Sequence, residues 1–307
     1  MEQMMRDVLL YLSKSKTSTK MARRYGLRFG ANRFVAGETI ESAIDAIQAL
    51  NQNDIVATLD HLGEFVANPG EARASADYCV RTLNAIHESG VKSGLSVKLT
   101  QLGLDISKDL CLENMHTILD TAKKNGQFVR IDMEDYAHNE ITIDIFKQLI
   151  KEYGPKTIGL VIQAYLFKSD ADLDLMHEHG ATLRIVKGAY KEPASVAFPD
   201  KKDVDKNYIH LVEKHLSNGH YTAVATHDES CILQVKKFVK ENGIPNDLFE
   251  FQMLYGIRTQ LQMDLAKEGY KIRVYVPYGD DWYGYFMRRL AERPANVGFV
   301  LKSMFKA

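Results

Sequence analysis

Cysteine is scarce in this 307-residue chain: there are three, Cys79, Cys111 and Cys231, far apart and odd in number. They have neither zinc spacing nor the pattern of a disulfide framework, so they read as buried free thiols of a reducing compartment. An excess of either charge is also lacking. Lys+Arg is 39 against Asp+Glu 40, a net charge of −1, which leaves no footprint of a general nucleic-acid binder. No apolar run approaches the roughly 18 residues that would span a bilayer. Met1–Lys14 lacks the basic start, apolar core and small-residue cleavage site of a signal peptide. A Gly-x-Gly-x-x-Gly turn and a Walker A loop are both missing, which weakens the case for an open nucleotide-binding sheet. Hydrophobic content of 45% and charged content of 26% then exclude a disordered or collagen-like chain.

What is present is a regular alternation. Eight short β-rich runs stand out: 54–60 (DIVATLD), 94–100 (GLSVKLT), 128–133 (FVRIDM), 158–165 (IGLVIQAY), 182–189 (TLRIVKGA), 222–227 (TAVATH), 248–254 (LFEFQML) and 271–277 (KIRVYVP). They are rich in Val, Ile, Leu and Phe, as strands buried on both faces should be. Between them, stretches such as 112–125, 141–153, 169–179 and 207–217 carry apolar residues at helical spacing. Gly126, Gly154, Gly180, Gly219, Gly243 and Gly269 stand where helices should stop. Strand–helix alternation repeated eight times predicts an α/β fold, a (β/α)8 TIM barrel, with an open doubly wound sheet as the alternative. Residues 1–53 read as a helical leader (helices at 3–13, 18–25 and 39–51), too short for its own core and packed on a catalytic barrel of 54–307.

In such a barrel the site forms at the C-terminal strand ends. Seven of the eight predicted strands carry polar groups there: Lys98; Arg130, Asp132 and Glu134; Gln163 and Tyr165; Arg184, Lys187 and Tyr190; His227 and Asp228; Gln252; Arg273 and Tyr275. Buried polar groups must be paired or functional. The set leans cationic, and with Arg288 and Arg289 downstream it suggests an anionic ligand. No activated nucleophile is evident. The IDMED run around Asp132 resembles a magnesium-barrel end. It lacks matching ligands apart from His227, and an acidic network around the cations is the better reading. His177 and His179 (MHEHG) sit at a predicted helix end, where i and i+2 diverge, so no metal site is expected. In the 282–299 helix, Tyr285, the Arg288–Arg289 pair and Glu292 share a face. Adjacent arginines sit about 100° apart, so both reach one anion only if it lies close over the helix. Seven basic residues and no acid lie between Lys14 and Arg33, a solvated helical face or a membrane-surface patch.

Several segments together resemble proline dehydrogenase, a flavin-dependent barrel family: LGEF at Glu64, SVKLTQLG at Lys98, RIDMED at Asp132, VIQAY at Gln163, RIVKGAY through Tyr190, ATHD at His227, FEFQMLYG at Gln252 and RVYVPYG…YFMRRLAERPAN from Arg273 to Asn296. They cover nearly the whole barrel in order. The resemblance implies a distorted barrel that holds non-covalent FAD, oxidises L-proline to 1-pyrroline-5-carboxylate by hydride transfer to flavin N5, and passes electrons to a membrane quinone. It implies that Lys98, Arg288 and Arg289 bind the proline carboxylate, that Tyr275 and Tyr285 pack on the ring with Tyr190 nearby, and that Asp132 hydrogen-bonds Tyr275. Glu64 would pair with Arg288 as a gate. Gln163, Arg184, Lys187, Gly188 and Ala189 would contact the flavin, and His227 and Glu292 its pyrophosphate and adenosine side. Lys191 and Glu192 after the turn point to the single-function bacterial type. A cytoplasmic location with transient contact at the inner membrane face, and no nucleic-acid partner, follows from the same resemblance. Arg184 and Lys187 have opposite parity on a strand, so both face one ligand only if the strand breaks near Gly188. Oxidation of 4-hydroxyproline, a flavin-holding sensor and a metal-dependent lyase are the alternatives the sequence leaves open.

Overall fold

The computed structural model describes residues 31–63 and 65–292, with backbone alone at 291 and 292. The predicted helices at 3–13 and 18–25 lie outside the described residues. The third leader helix is α1 (Ile40–Asn51), opened by a capping box in which Thr39 and Ser42 bond each other's backbone N–H. Its Ile40, Ala43, Ile44 and Ile47 join the main apolar core, and each buried isoleucine contributes about 1.5–3 kcal/mol.

Eight parallel strands follow: β1 (Val56–His61), β2 (Ser93–Val97), β3 (Val129–Ile131), β4 (Ile158–Gln163), β5 (Thr182–Val186), β6 (Thr222–Ala225), β7 (Phe249–Leu254) and β8 (Ile272–Tyr278). They pair in sequence order, and β8 closes on β1 through Leu59↔Val276 and Asp60↔Pro277. Each strand leads to a helix: α2 (Pro69–Ser89), α3 (Lys108–Lys124), α4 (Tyr136–Tyr153), α5 (Ser169–His177), α6 (Lys201–Ser217), α7 (Glu229–Glu241), α8 (Thr259–Lys267) and α9 (Trp282–Glu292). Local chemistry explains several starts. Asn68 caps α2 with Pro69 in its first turn, Ser107 caps α3, Asp135 caps α4 and Asp228 caps α7. The α/β barrel expected from the alternation is the observed fold.

The two faces of the strands differ, a departure from the expectation of apolar strands on both sides. Leu59, Leu95, Val97, Val129, Ile131, Leu160, Leu183, Ile185, Phe249, Phe251, Val274 and Val276 join the core shared with the helices. The alternate residues meet across the barrel interior through side-chain hydrogen bonds. Arg184 on β5, for example, reaches Ser96 on β2, Asp132 just past the end of β3 and Gln252 on β7. In such an interior each unmatched polar side chain costs stability, so most must be paired.

Two strand residues expected at the mouth lie deeper. Arg130 donates to the carbonyls of Leu160 and of Thr182, the first residue of β5. Gly159 makes room for it: a Cβ there would lie 2.8 Å from the Arg130 Nη1. Arg273 pairs with Glu250, donates to the Ala57 carbonyl, and lines a separate cavity of about 460 Å³ at the N-terminal end. Tyr165 packs instead against Gly188, where a Cβ would meet the tyrosine ring at 2.3 Å. That glycine also needs its φ of +116°.

Candidate active site

The C-terminal strand ends open into a cavity of about 920 Å³, within the size range of cofactor pockets. Its lining includes Lys98, Asp132, Gln163, Arg184, Lys187, Gly188, Ala189, Tyr190, His227, Tyr275, Tyr285, Arg288 and Arg289. These are the described residues to which the resemblance assigns a role; Arg130, Glu134, Tyr165 and Arg273, also expected at the mouth, do not line it. Glu64 lies outside the described residues, as does the side chain of Glu292.

The cavity floor is a charge network. Lys98 Nζ donates to both oxygens of Asp60 at 3.0 Å, lies 3.4 Å from the Tyr275 hydroxyl and 3.7 Å from Asp132. Tyr275 donates to Asp132 Oδ2 at 2.8 Å, and Arg184 Nη1 donates to Oδ1 at 2.6 Å. Arg184 lies over the Tyr275 ring at 5.3 Å, a cation–π distance. Burial, then the carboxylates Asp132 and Asp60, push the Tyr275 phenol well above its usual range, so it stays a donor at neutral pH. Glu134 is tied to the Thr100 backbone and hydroxyl, and Asp135 to His138. The acidic run is therefore divided between a cation network and loop anchoring.

Gln163 is nearly fully buried. Its amide nitrogen donates to the Glu134 carbonyl at 2.9 Å, which fixes the amide orientation. Its carbonyl oxygen has no partner among the described residues. A buried acceptor left unmatched costs about 1–3 kcal/mol, so the residue is suited to an N–H donor brought by a ligand.

β5 ends at Val186, and the break before Gly188 lets Arg184 and Lys187 line one cavity despite their opposite parity. Lys187 Nζ sits between Asp205 at 2.5 Å and Asp228 at 2.9 Å. Burial works against its charge, yet these two carboxylates raise its pKa above that of an ordinary lysine, and the bond from Lys187 holds Asp228 far below the carboxylate range. Asp205, Asp228 and Cys231 form a metal-sized group, but the ammonium already fills it. Beside it, Thr226, His227 and Asp228 lead into the α7 N-terminus, flanked by Lys201 and Arg258. His227 Nε2 accepts from the Leu254 N–H at 2.9 Å, which fixes its ring. A helix N-terminus with nearby cations favours a phosphate-bearing ligand.

At the opposite side, α9 presents Tyr285, Arg288 and Arg289 to the same cavity, and Arg289 lies 5.0 Å from the Tyr285 ring centroid. Trp282, Phe286, Met287 and Leu290 anchor the helix against Phe34 and Val35, and Trp282 donates to Glu38. The three cysteines are buried; burial pushes the Cys79 and Cys111 thiols up to about 12, which leaves them unreactive.

Sequence reading missed Asp60, Lys201, Glu250 and Arg258. Asp60 was accessible by the rule applied to the other strands, since it closes the predicted run DIVATLD. Arg258 stands in a loop in left-handed conformation (φ 54°), for which no periodicity gives a signal.

The family described as Proline dehydrogenase matches residues 43–302. Proline dehydrogenase 1 of Bacillus subtilis (strain 168) is 52% identical over 99% of this chain and 100% of that protein. Proline dehydrogenase of Deinococcus radiodurans is 46% identical over 99% of each. Among solved structures, proline utilization A (PutA) from Bdellovibrio bacteriovorus inactivated by N-propargylglycine superposes with a TM-score of 0.79 at 26% identity, covering 85% of this chain. The chain spans about a third of that protein, 32%.

Proposed function

Because this chain belongs to the proline dehydrogenase family, we propose that it oxidises L-proline to 1-pyrroline-5-carboxylate, the first step of proline catabolism, with non-covalent FAD as cofactor and a membrane quinone as electron acceptor. The observation that carries the reading is one cavity lined by two complementary sets. Lys98, Arg288 and Arg289 with Tyr275 and Tyr285 suit a compact amino acid. Arg184, Lys187 and the unmatched carbonyl of Gln163 suit a flavin ring, which carries one N–H donor among several acceptors.

In this reading Lys98, Arg288 and Arg289 hold the proline carboxylate by charge-assisted hydrogen bonds. The faces of Tyr275 and Tyr285 pack on the apolar ring, with Tyr190 at the rim. Asp132 takes the Tyr275 phenol proton in a hydrogen bond and fixes that ring. FAD, when bound, supplies the two-electron acceptor for the ring carbon next to nitrogen. Gln163, Arg184, Lys187, Gly188 and Ala189 would hold its ring, and His227 and Glu292 its pyrophosphate and adenosine side. Glu64 would pair with Arg288 as the gate. Since positioning dominates such chemistry, a rigid hydrogen-bonded floor is the main contribution of the barrel.

The proposed organisation is a leader of 1–53 packed on a catalytic barrel of 54–307. No helix among the described residues is long and apolar enough to cross a membrane, and the reading has a cytoplasmic enzyme touching the inner face of the membrane to reach its acceptor. An anaerobic visible spectrum of the purified protein, before and after L-proline, tests the proposal. Flavin bands that bleach on addition are the expected result. Flavin bands unchanged by L-proline would overturn the substrate, and failure to bind added FAD would overturn the cofactor.

A further inference from the structure

Below Arg184 the polar interior continues to the other end of the barrel. Arg184 Nε donates to Gln252 Oε1 at 2.6 Å, and Gln252 Nε2 donates to Glu250 Oε1 at 2.6 Å. Glu250, 1% exposed, also accepts from Arg273 Nε at 2.6 Å, Arg273 Nη2 at 3.1 Å and the Tyr221 hydroxyl at 2.8 Å, with Lys271 at 3.4 Å. Gln252 and Glu250 are inward neighbours two residues apart on β7.

An amide can present either end to a neighbour, since its oxygen and nitrogen are nearly the same size. Here only one orientation works. A flipped Gln252 would set its N–H groups against the Arg184 donor and its oxygen against the Glu250 carboxylate. Arg184 and Glu250 together fix the amide, and the carboxylate anchors the end remote from Arg184. The carboxylate is held ionised: burial favours its neutral form, but Arg273 and Lys271 outweigh burial and keep it below the ordinary range. With Nε on Gln252, Nη1 on Asp132 and Nη2 on Ser96, three of the five guanidinium N–H groups are committed and two remain for a ligand.

We propose that Glu250, acting through Gln252, is a positioning residue that sets the orientation of Arg184 and thereby tunes the flavin held above it. The tuning rests on the flavin contact assigned to Arg184 under the proposed function; the orientation does not. Glu250 lies one inward position before Gln252 on β7 and does not line the mouth cavity.

The test compares Glu250→Gln with the double variant Glu250→Gln/Gln252→Glu. The single change removes the carboxylate that accepts from Gln252 Nε2, so the amide is held only from the Arg184 side. The double change exchanges acid and amide and restores a carboxylate acceptor for Arg184 at unchanged net charge. For Glu250→Gln the expected result is a more negative flavin midpoint potential and a several-fold fall in kcat with KM for L-proline nearly unchanged. The double variant should recover most of both. A loss of thermal stability shared by the two variants without recovery of potential would mark Glu250 as merely structural and overturn the proposal. So would a folded Glu250→Gln enzyme with unchanged potential and unchanged Arg184 geometry. That geometry is read separately by the side-chain Nε–H resonance of Arg184, identified by its disappearance in Arg184→Lys. A resonance that shifts in Glu250→Gln and returns in the double variant supports the positioning whether or not flavin is bound. If it does so while the potential stays constant, the flavin contact of Arg184 fails and the orientation by Glu250 stands.

Discussion

On the outside of the barrel, Leu59, Leu95, Ile131, Leu160, Ile185 and Phe251 meet the apolar faces of helices. On the inside, Ser96, Arg184, Gln252 and Glu250, with Asp132 just past β3, join one hydrogen-bonded network, and Asp60 receives Lys98. The outer contacts are non-directional and scale with area. The inner contacts are directional, and removing one member leaves another buried and unmatched. The outer face therefore sets how stable the barrel is, and the inner face sets where a few atoms stand.

This contrast can be broken experimentally. The largest effect is expected outside: Phe251→Ala should cost about 3–5 kcal/mol of stability, since Phe251 is fully buried and edge-packed against Phe249 and Tyr270. Thermal or urea unfolding measures it, and the folded fraction should keep its kcat. Inside, Arg184→Met should invert the pattern. It should lower kcat/KM for L-proline by about 100- to 1,000-fold, the range for losing one preorganised charged donor, while the far-ultraviolet spectrum and fold persist; steady-state kinetics and circular dichroism report the two quantities.

A smaller inner change sharpens the comparison. Asp60→Asn replaces the carboxylate that receives Lys98 on both oxygens. KM for L-proline should rise roughly tenfold, about 1.4 kcal/mol, with a lesser change in kcat. A kcat loss with constant KM would show that Lys98 acts on the reacting centre rather than on carboxylate binding.

The smallest effect tests an exception in the outer shell. His215 on α6 is fully buried, stacked against His177 and His220, and its Nε2 has no partner among the described residues. Burial, then the neighbouring His177 and His220, lowers its pKa to about 3. The unfolded chain, titrating near 6.5, then binds more protons than the folded one between those values. The contribution of His215 to stability is present above about pH 6.5 and lost as the pH falls toward 3. From pH 7 to pH 6 this amounts to under about 1 kcal/mol, and His215→Gln should flatten that part of the stability–pH curve.

Much of this organisation was legible along the chain. Short apolar runs separated by amphipathic stretches and glycines specify eight strands and their order, because each glycine stop and period change is a local property. Polar residues inside otherwise apolar runs identified Lys98, Asp132, Gln163, Arg184 and Tyr275, since a polar group in a buried strand must have a purpose. Period-2 alternation also separates inner from outer residues. It does not give height along the axis, and Arg130 and Arg273 are the case in point. Both look like Arg184 in sequence, yet they lie toward the opposite end of the interior from the mouth. Strands in a closed barrel are tilted and staggered, so equal offsets from predicted ends fall at different depths.

The residues themselves determined the element order, the barrel class and the chemical character of the mouth, because each follows from local spacing and composition. Only the tertiary structure decided which charges meet: Lys98 with Asp60, Lys187 between Asp205 and Asp228, and Arg184 with Ser96, Asp132 and Gln252. Those pairings join residues dozens of positions apart, and only closure of the barrel brings them within hydrogen-bond reach.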